Sequence, residues 1–166
     1  KEGELVFVSG HPSSTERLLT VAQLEFQRDH FLPYRVEYLA QMRGALTAEG
    51  AKGEEEMRQV NEALLSVENA LKVYRGQRGA LVEPSFFAVR VAEEKKLRDA
   101  LAADAKLRAK YGDPFAEIQA LIAAQKQVYL PHQILEVRFG AGSVLLNDAR
   151  TLVRAAAERA KPDSQR

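Results

Sequence analysis

The chain has 166 residues, 46% of them hydrophobic and 28% charged, the balance of one globular domain with its own core rather than of a disordered, collagenous or membrane-spanning polypeptide. With 24 Lys and Arg against 23 Asp and Glu the net charge is +1, without the basic excess that counterion release from nucleic acid requires. Cysteine is absent, which excludes disulfides, thiolate nucleophiles and Cys-bound zinc.

Residues 5–8, Leu-Val-Phe-Val, form a short β-branched and aromatic run that reads as a strand, closed by Gly10, His11 and Pro12. No second strand signal follows, so its hydrogen-bonding neighbours are expected outside this sequence. The chain starts at Lys1 with no initiator Met and no signal-like leader, and is expected to be a processed or excised piece. Everything after the turn reads as helix. Ser13 with Glu16 offers a capping box for a first helix carrying Leu18, Ala22 and Phe26 and ending at Pro33. A second helix runs from Tyr34 to near Gly50, with Leu39, Met42 and Leu46 on one face.

The third helix has the clearest period. Met57, Val60, Leu64, Val67, Leu71 and Tyr74 alternate spacings of three and four, a coiled-coil-like seam predicted to end at Gly76 and Gly79. Pro84 opens a fourth helix with Phe87, Val91, Leu97, Leu101 and Leu107 inward and Glu93, Glu94, Lys95 and Lys96 outward. Asp113 and Pro114 are an N-cap and first-turn proline for a fifth helix with Phe115, Ile118 and Ile122, running towards Pro131. A last helix holds Leu145, Ala149, Leu152 and Ala156 and stops before Pro162. The expected fold is all-α: an antiparallel bundle of about six helices preceded by one short strand. No stretch is apolar enough to span a membrane.

Little in the chain looks catalytic. His11, His30 and His132 have no partner at a metal-ligand spacing and read as turn or helix-end residues. The segment from Gly10 to Thr15 lacks the glycines and the Gly-Lys-Ser/Thr ending of a phosphate cradle, and no nucleophile elbow surrounds Ser13 or Ser14. Glu54, Glu55 and Glu56 read as a solvated first turn, and Arg150, Arg154 and Glu158 as a surface ion-pair ladder. No cofactor or metal site is expected. Asn69 lies, at 100° per residue, on the side of the third helix away from the seam, among Leu65, Ser66, Val73 and Gly76. From the residues alone it reads as an ordinary surface residue.

Three separated motifs resemble one family. Leu5 to Pro12 followed by Ser14-Thr15, Arg17-Leu18 and Thr20, then Glu68-Asn69-Ala70-Leu71-Lys72 with Gly76, then Ala149 to Arg154 through Lys161-Pro162, are similar to the helical-domain segment of bacterial serine dipeptidyl-peptidases, serine peptidase family forty-six. Ser13 stands where that family has Gly. The resemblance implies a parent with a chymotrypsin-like double β-barrel carrying a Ser-His-Asp triad outside these residues. The helical domain would cover its cleft, residues 1–166 forming that single domain and residues 5–8 belonging to the barrel. It implies that Asn69 holds the free α-amino group of a peptide substrate, that the parent is exported to the periplasm or outer surface of a Gram-negative bacterium, and that it can form a homodimer. The competing expectation is a free-standing helical interaction module without catalysis.

Overall fold

The computed structural model describes residues 18–137 and 143–165 together with Gly3, Leu5 and Phe7, and every regular element among them is helical. In chain order these are α1 (Val21–Phe26), a π-helical turn (Gln27–Phe31), α2 (Leu32–Gly50), α3 (Glu54–Val82), α4 (Pro84–Ala103), α5 (Ala105–Tyr111), α6 (Pro114–His132), a second π-helical turn (Gln133–Val137), α7 (Val144–Arg159) and a 3₁₀ turn (Asp163–Gln165). The all-α expectation holds. Of the strand expected at 5–8, only Leu5 and Phe7 are described; neither lies in a strand, and both are exposed. Val6, Val8 and the turn through Pro12, Ser13, Ser14 and Glu16 lie outside the described residues.

The helix starts differ from the sequence reading where a stronger local partner exists. The first described helix begins at Val21 and leaves the predicted helical residue Leu18 outside it, because Thr20 and Gln23 make a complete capping box: Thr20 Oγ1 accepts from the Gln23 N–H, and Gln23 Oε1 accepts from the Thr20 N–H at 2.9 Å. Pro33 does not end this helix. The π-helical turn widens the backbone just ahead of it, where a regular turn would press the proline ring against a carbonyl, so the helix runs on into α2. The same turn stacks residues five apart, which brings Phe26 and Phe31 to one side. There both meet Tyr129 of α6, at ring separations of 5.1 and 6.4 Å, while Tyr34 approaches it at 5.9 Å and Phe31 reaches Tyr74 of α3 at 6.0 Å.

The predicted seam is the main core. Leu39 of α2 and Val67 and Leu71 of α3 are buried together, with Val36, Met42, Leu46 and Tyr74 packed around them. The pair is antiparallel: Gly50 lies under Met57 at one end, Arg43 pairs with Glu68 in the middle, and Phe31 meets Tyr74 at the other. A side chain at Gly50 would displace the end of the Met57 thioether and press on Val60, so the two helices approach closely there. At the start of α3, Glu54, Glu55 and Glu56 occupy the first turn as expected, and hydrogen bonds from Arg58 and Gln59 hold the Glu55 carboxyl down to about 2. Gly76 and Gly79 do not end α3, which continues to Val82; no other residue crowds either glycine, and helix length outweighs their modest propensity cost.

The predicted fourth helix is divided and partly inverted. Asp104 accepts from the N–H groups of Lys106 and Leu107, at 2.8 and 3.1 Å, and so starts α5, which carries Leu107. On α4 it is Glu94 that is buried, whereas Val91 and Leu97 are exposed. Its carboxylate accepts from the Val21 N–H, one of the unpaired donors at the start of α1, and pairs with Arg98 at 2.7 Å. Arg98 in turn lies 4.7 Å over the Phe115 ring of α6. One charged residue thereby joins α1, α4 and α6. The expected start of α6 at Asp113-Pro114 stands, although α6 passes through Pro131 to His132, and the expected last helix is α7, which stops at Arg159 ahead of Pro162 and is capped by Ser143, a cap the sequence reading did not name.

Candidate functional site

Asn69 sits at the middle of α3, and the seam that buries Val67 and Leu71 against α2 turns it to the opposite side. The residue is exposed, and its amide makes no hydrogen bond among the described residues. Four residues before and after it the side chains are apolar and open, Leu65 being 59% and Val73 47% exposed, while the polar Ser66 and Lys72 stand three residues away. Gly76 continues the stripe without a side chain, and nothing lies within 4 Å of where its Cβ would be. The result is an unpaired amide set between two aliphatic side chains on a rigid helix, with bare backbone at one end. Such a group can accept a hydrogen bond from a cation without bringing a charge of its own that would have to be desolvated.

The electrostatics beside it are set by α2. Arg43 takes the Glu68 carboxylate at 3.1 Å, across the helix pair. Between Glu68 and Glu83 the chain has no carboxylate, while Lys72, Arg75 and Arg78 stand exposed on α3. The carboxyl end of α3 is therefore locally positive.

The other sequence candidates do not converge on a site. His30 stacks on Phe26 with ring centroids 5.6 Å apart, and His132 is the exposed last residue of α6. His11, Ser13 and Ser14 lie outside the described residues. Among the described residues no three His, Asp or Glu come together in a way that could hold a metal ion. An open groove of about 680 Å³ runs along Leu81, Val82, Pro84, Phe87 and Val91. Arg28 at its edge lies 4.7 Å over the Phe87 ring and pairs with Asp29 at 2.7 Å, holding that carboxyl below its ordinary range. The groove's second cation, Lys95, is paired with Asp99 at 2.6 Å, so with both cations engaged it offers chiefly apolar contact.

The ladder expected along α7 is replaced by a tertiary contact. Arg154 and Arg150 both reach the Glu136 carboxylate, and Arg150 Nη1 donates to the Leu135 and Glu136 carbonyls at 3.2 Å each. Those carbonyls belong to the last residues of the second π-helical turn, Gln133–Val137. Glu158 pairs instead with Lys161, at 2.7 Å. Only a match between two distant segments could have revealed this contact in the sequence. Among the described residues no helix is long and apolar enough to cross a membrane.

Comparison with known proteins places the chain. The family model for Peptidase S46 matches residues 1–166. An Asp/Glu-specific dipeptidyl-peptidase of Shewanella putrefaciens is 25% identical over 166 residues, covering all of this chain and 22% of the relative's length. No solved structure matches.

Proposed function

This chain belongs to the Peptidase S46 family, and from that premise we propose that it is the helical domain that gates substrate entry in an exported serine dipeptidyl-peptidase. The chain spans about a fifth of the relative it matches, 22% by length, so the nucleophile, base and orienting carboxylate are assigned to the remaining polypeptide. In this reading the helical domain admits only the amino-terminal end of a peptide, and Asn69 is its gauge. An enzyme that releases dipeptides must fix the substrate α-ammonium group two residues from the scissile bond. A neutral amide acceptor does this without adding a buried charge.

The observation that carries the proposal is the exposure of Asn69 on the side of α3 that does not pack, with no hydrogen-bonding partner of its own. The parent is assigned to the periplasm or outer surface of a Gram-negative bacterium, and the 166 residues alone are expected to release no dipeptide from reporter substrates. A hydrogen bond to a charged group is worth about 1.5–3 kcal/mol, so Asn69→Ala in the full-length enzyme should lower kcat/KM by about 10- to 150-fold on dipeptidyl substrates with a free amino terminus. Retention of kcat/KM within about twofold would return Asn69 to the status of a surface residue.

A further inference from the structure

Lys72 follows Asn69 by three residues on α3, which puts their Cβ atoms about 5–6 Å apart on one side of the helix. It also follows Glu68 by four, the order in which an acidic and a basic residue pair best along a helix. Lys52 and Lys161 pair with the acidic residues three positions before them, Glu49 and Glu158, and Lys95 pairs with Asp99 four positions after it. Lys72 makes no such pair, because Arg43 of α2 has drawn Glu68 across the helix pair. Lys72 is exposed and has no hydrogen bond or ion pair among the described residues. The next acidic residue along the chain is Glu83, and Arg75 and Arg78 lie between. The arrangement leaves a flexible cation, free of its natural partner, within one turn of an amide that is likewise unpaired.

We infer that Lys72 binds the side-chain carboxylate of the first residue of a peptide substrate. The inference rests on the reading of Asn69 as the acceptor for the α-ammonium group. The two helix residues then grip the two ends of one amino acid: the amide oxygen takes the α-nitrogen, and the Lys72 ammonium takes the carboxylate that the same residue extends. A carboxylate also relieves the repulsion between Lys72 and the substrate ammonium, which a neutral or basic first residue leaves in place. Arg75 and Arg78 add a positive field that favours the approach of acidic amino termini. The full-length enzyme is therefore expected to prefer Asp or Glu as the first substrate residue, independently of its choice at the second.

The test uses the full-length enzyme and pairs of dipeptidyl reporter substrates that share one second residue and differ only in Glu or Gln at the first. The wild type should favour Glu by roughly tenfold in kcat/KM at low ionic strength, with the preference shrinking as salt rises. Lys72→Met should abolish that ratio through a fall on the Glu substrate, and Lys72→Arg should keep most of it. A ratio that survives Lys72→Met, or an equal fall on both substrates, overturns the inference. Asn69→Ala separates the two readings, since it should weaken both substrates alike. If Lys72→Met erases the ratio while Asn69→Ala is silent, the carboxylate subsite stands and the amine assignment falls; the converse result retains the amine assignment and removes the subsite.

Discussion

Along α2 and α3 the side chains of Leu39, Val67 and Leu71 are buried against one another, whereas α7 has no buried residue and leaves Val144, Leu145, Leu152 and Val153 at least 70% exposed. The hairpin is held by apolar area, which is non-directional and follows the helical period. The exit helix is held through Arg150, Arg154 and Glu136, by charged and hydrogen-bonding groups in open solvent. The difference separates a rigid platform from an attachment sensitive to pH and salt. Asn69 and Lys72 lie on the platform, as a gauge of substrate position requires.

The comparison is broken most directly by equal truncations in the two regions. Leu71 is 3% and Leu152 70% exposed. Leu71→Ala should cost about 2–5 kcal/mol of unfolding free energy, and Leu152→Ala less than about 0.5 kcal/mol, measured by urea denaturation of the 166-residue chain. Equal losses would mean that α7 is packed as tightly as the hairpin. Between these extremes lies Glu94, buried yet polar. Glu94→Ala strands the Val21 N–H and the Arg98 guanidinium and should cost about 1–3 kcal/mol. Glu94→Gln, which keeps an acceptor for Val21, should cost less. If alanine and glutamine are equally mild, the link from α1 through α4 to α6 contributes nothing.

Gly76 and Gly79 sharpen the contrast from the opposite direction. Both lie inside α3 with no atom of another residue near the site of a Cβ. Gly76→Ala and Gly79→Ala should each stabilise the chain by about 0.5–1 kcal/mol. At 100° per residue Gly76 shares the side of Asn69 while Gly79 is turned further from it. Gly76→Ala is therefore the variant expected to lower kcat/KM in the full-length enzyme despite its added stability. A loss of stability in either variant would show that the open space is filled.

What the sequence made legible follows from the range of each interaction. The α3 seam and the cap at Asp113 depend on residues within one or two turns, and they stand as read. The burial of Glu94 depends on a partner 73 residues away, and the pairing of Arg150 and Arg154 with Glu136 on residues 14 and 18 positions apart in a neighbouring element, and no local pattern carries either. Prolines misled for a related reason: Pro33 reads as a stop, but a π-helical turn absorbs it and the aromatic cluster around Tyr129 uses the resulting register. Asn69 was visible only through a family motif, because an exposed amide in mid-helix has no signature of its own. Its open, unpaired setting became visible once α2 was placed along the seam.

The smallest expected effect is local, and it tests the exit helix alone. Hydrogen bonding from Arg154, with the nearby Arg150 charge adding to it, holds the Glu136 carboxyl below its ordinary value of 4.5. A carboxyl lowered in the folded state contributes stability that is present above that ordinary value and is lost as the pH falls through the lowered one. Acid should therefore loosen the attachment of α7 before it affects the hairpin, and added salt should do the same at neutral pH by screening an exposed pair. The measurement is hydrogen exchange at residues 144–159 and 54–82, expressed as protection factors so that the intrinsic pH dependence divides out. Between about pH 6 and pH 3, spanning the carboxylate range, protection in α7 should fall while that in α3 holds. Glu136→Gln should lower α7 protection at neutral pH to near the acid level and flatten its response to acid. A wild-type α7 whose protection does not change over this range, or a Glu136→Gln variant that still responds to acid, would place the anchor of the exit helix elsewhere.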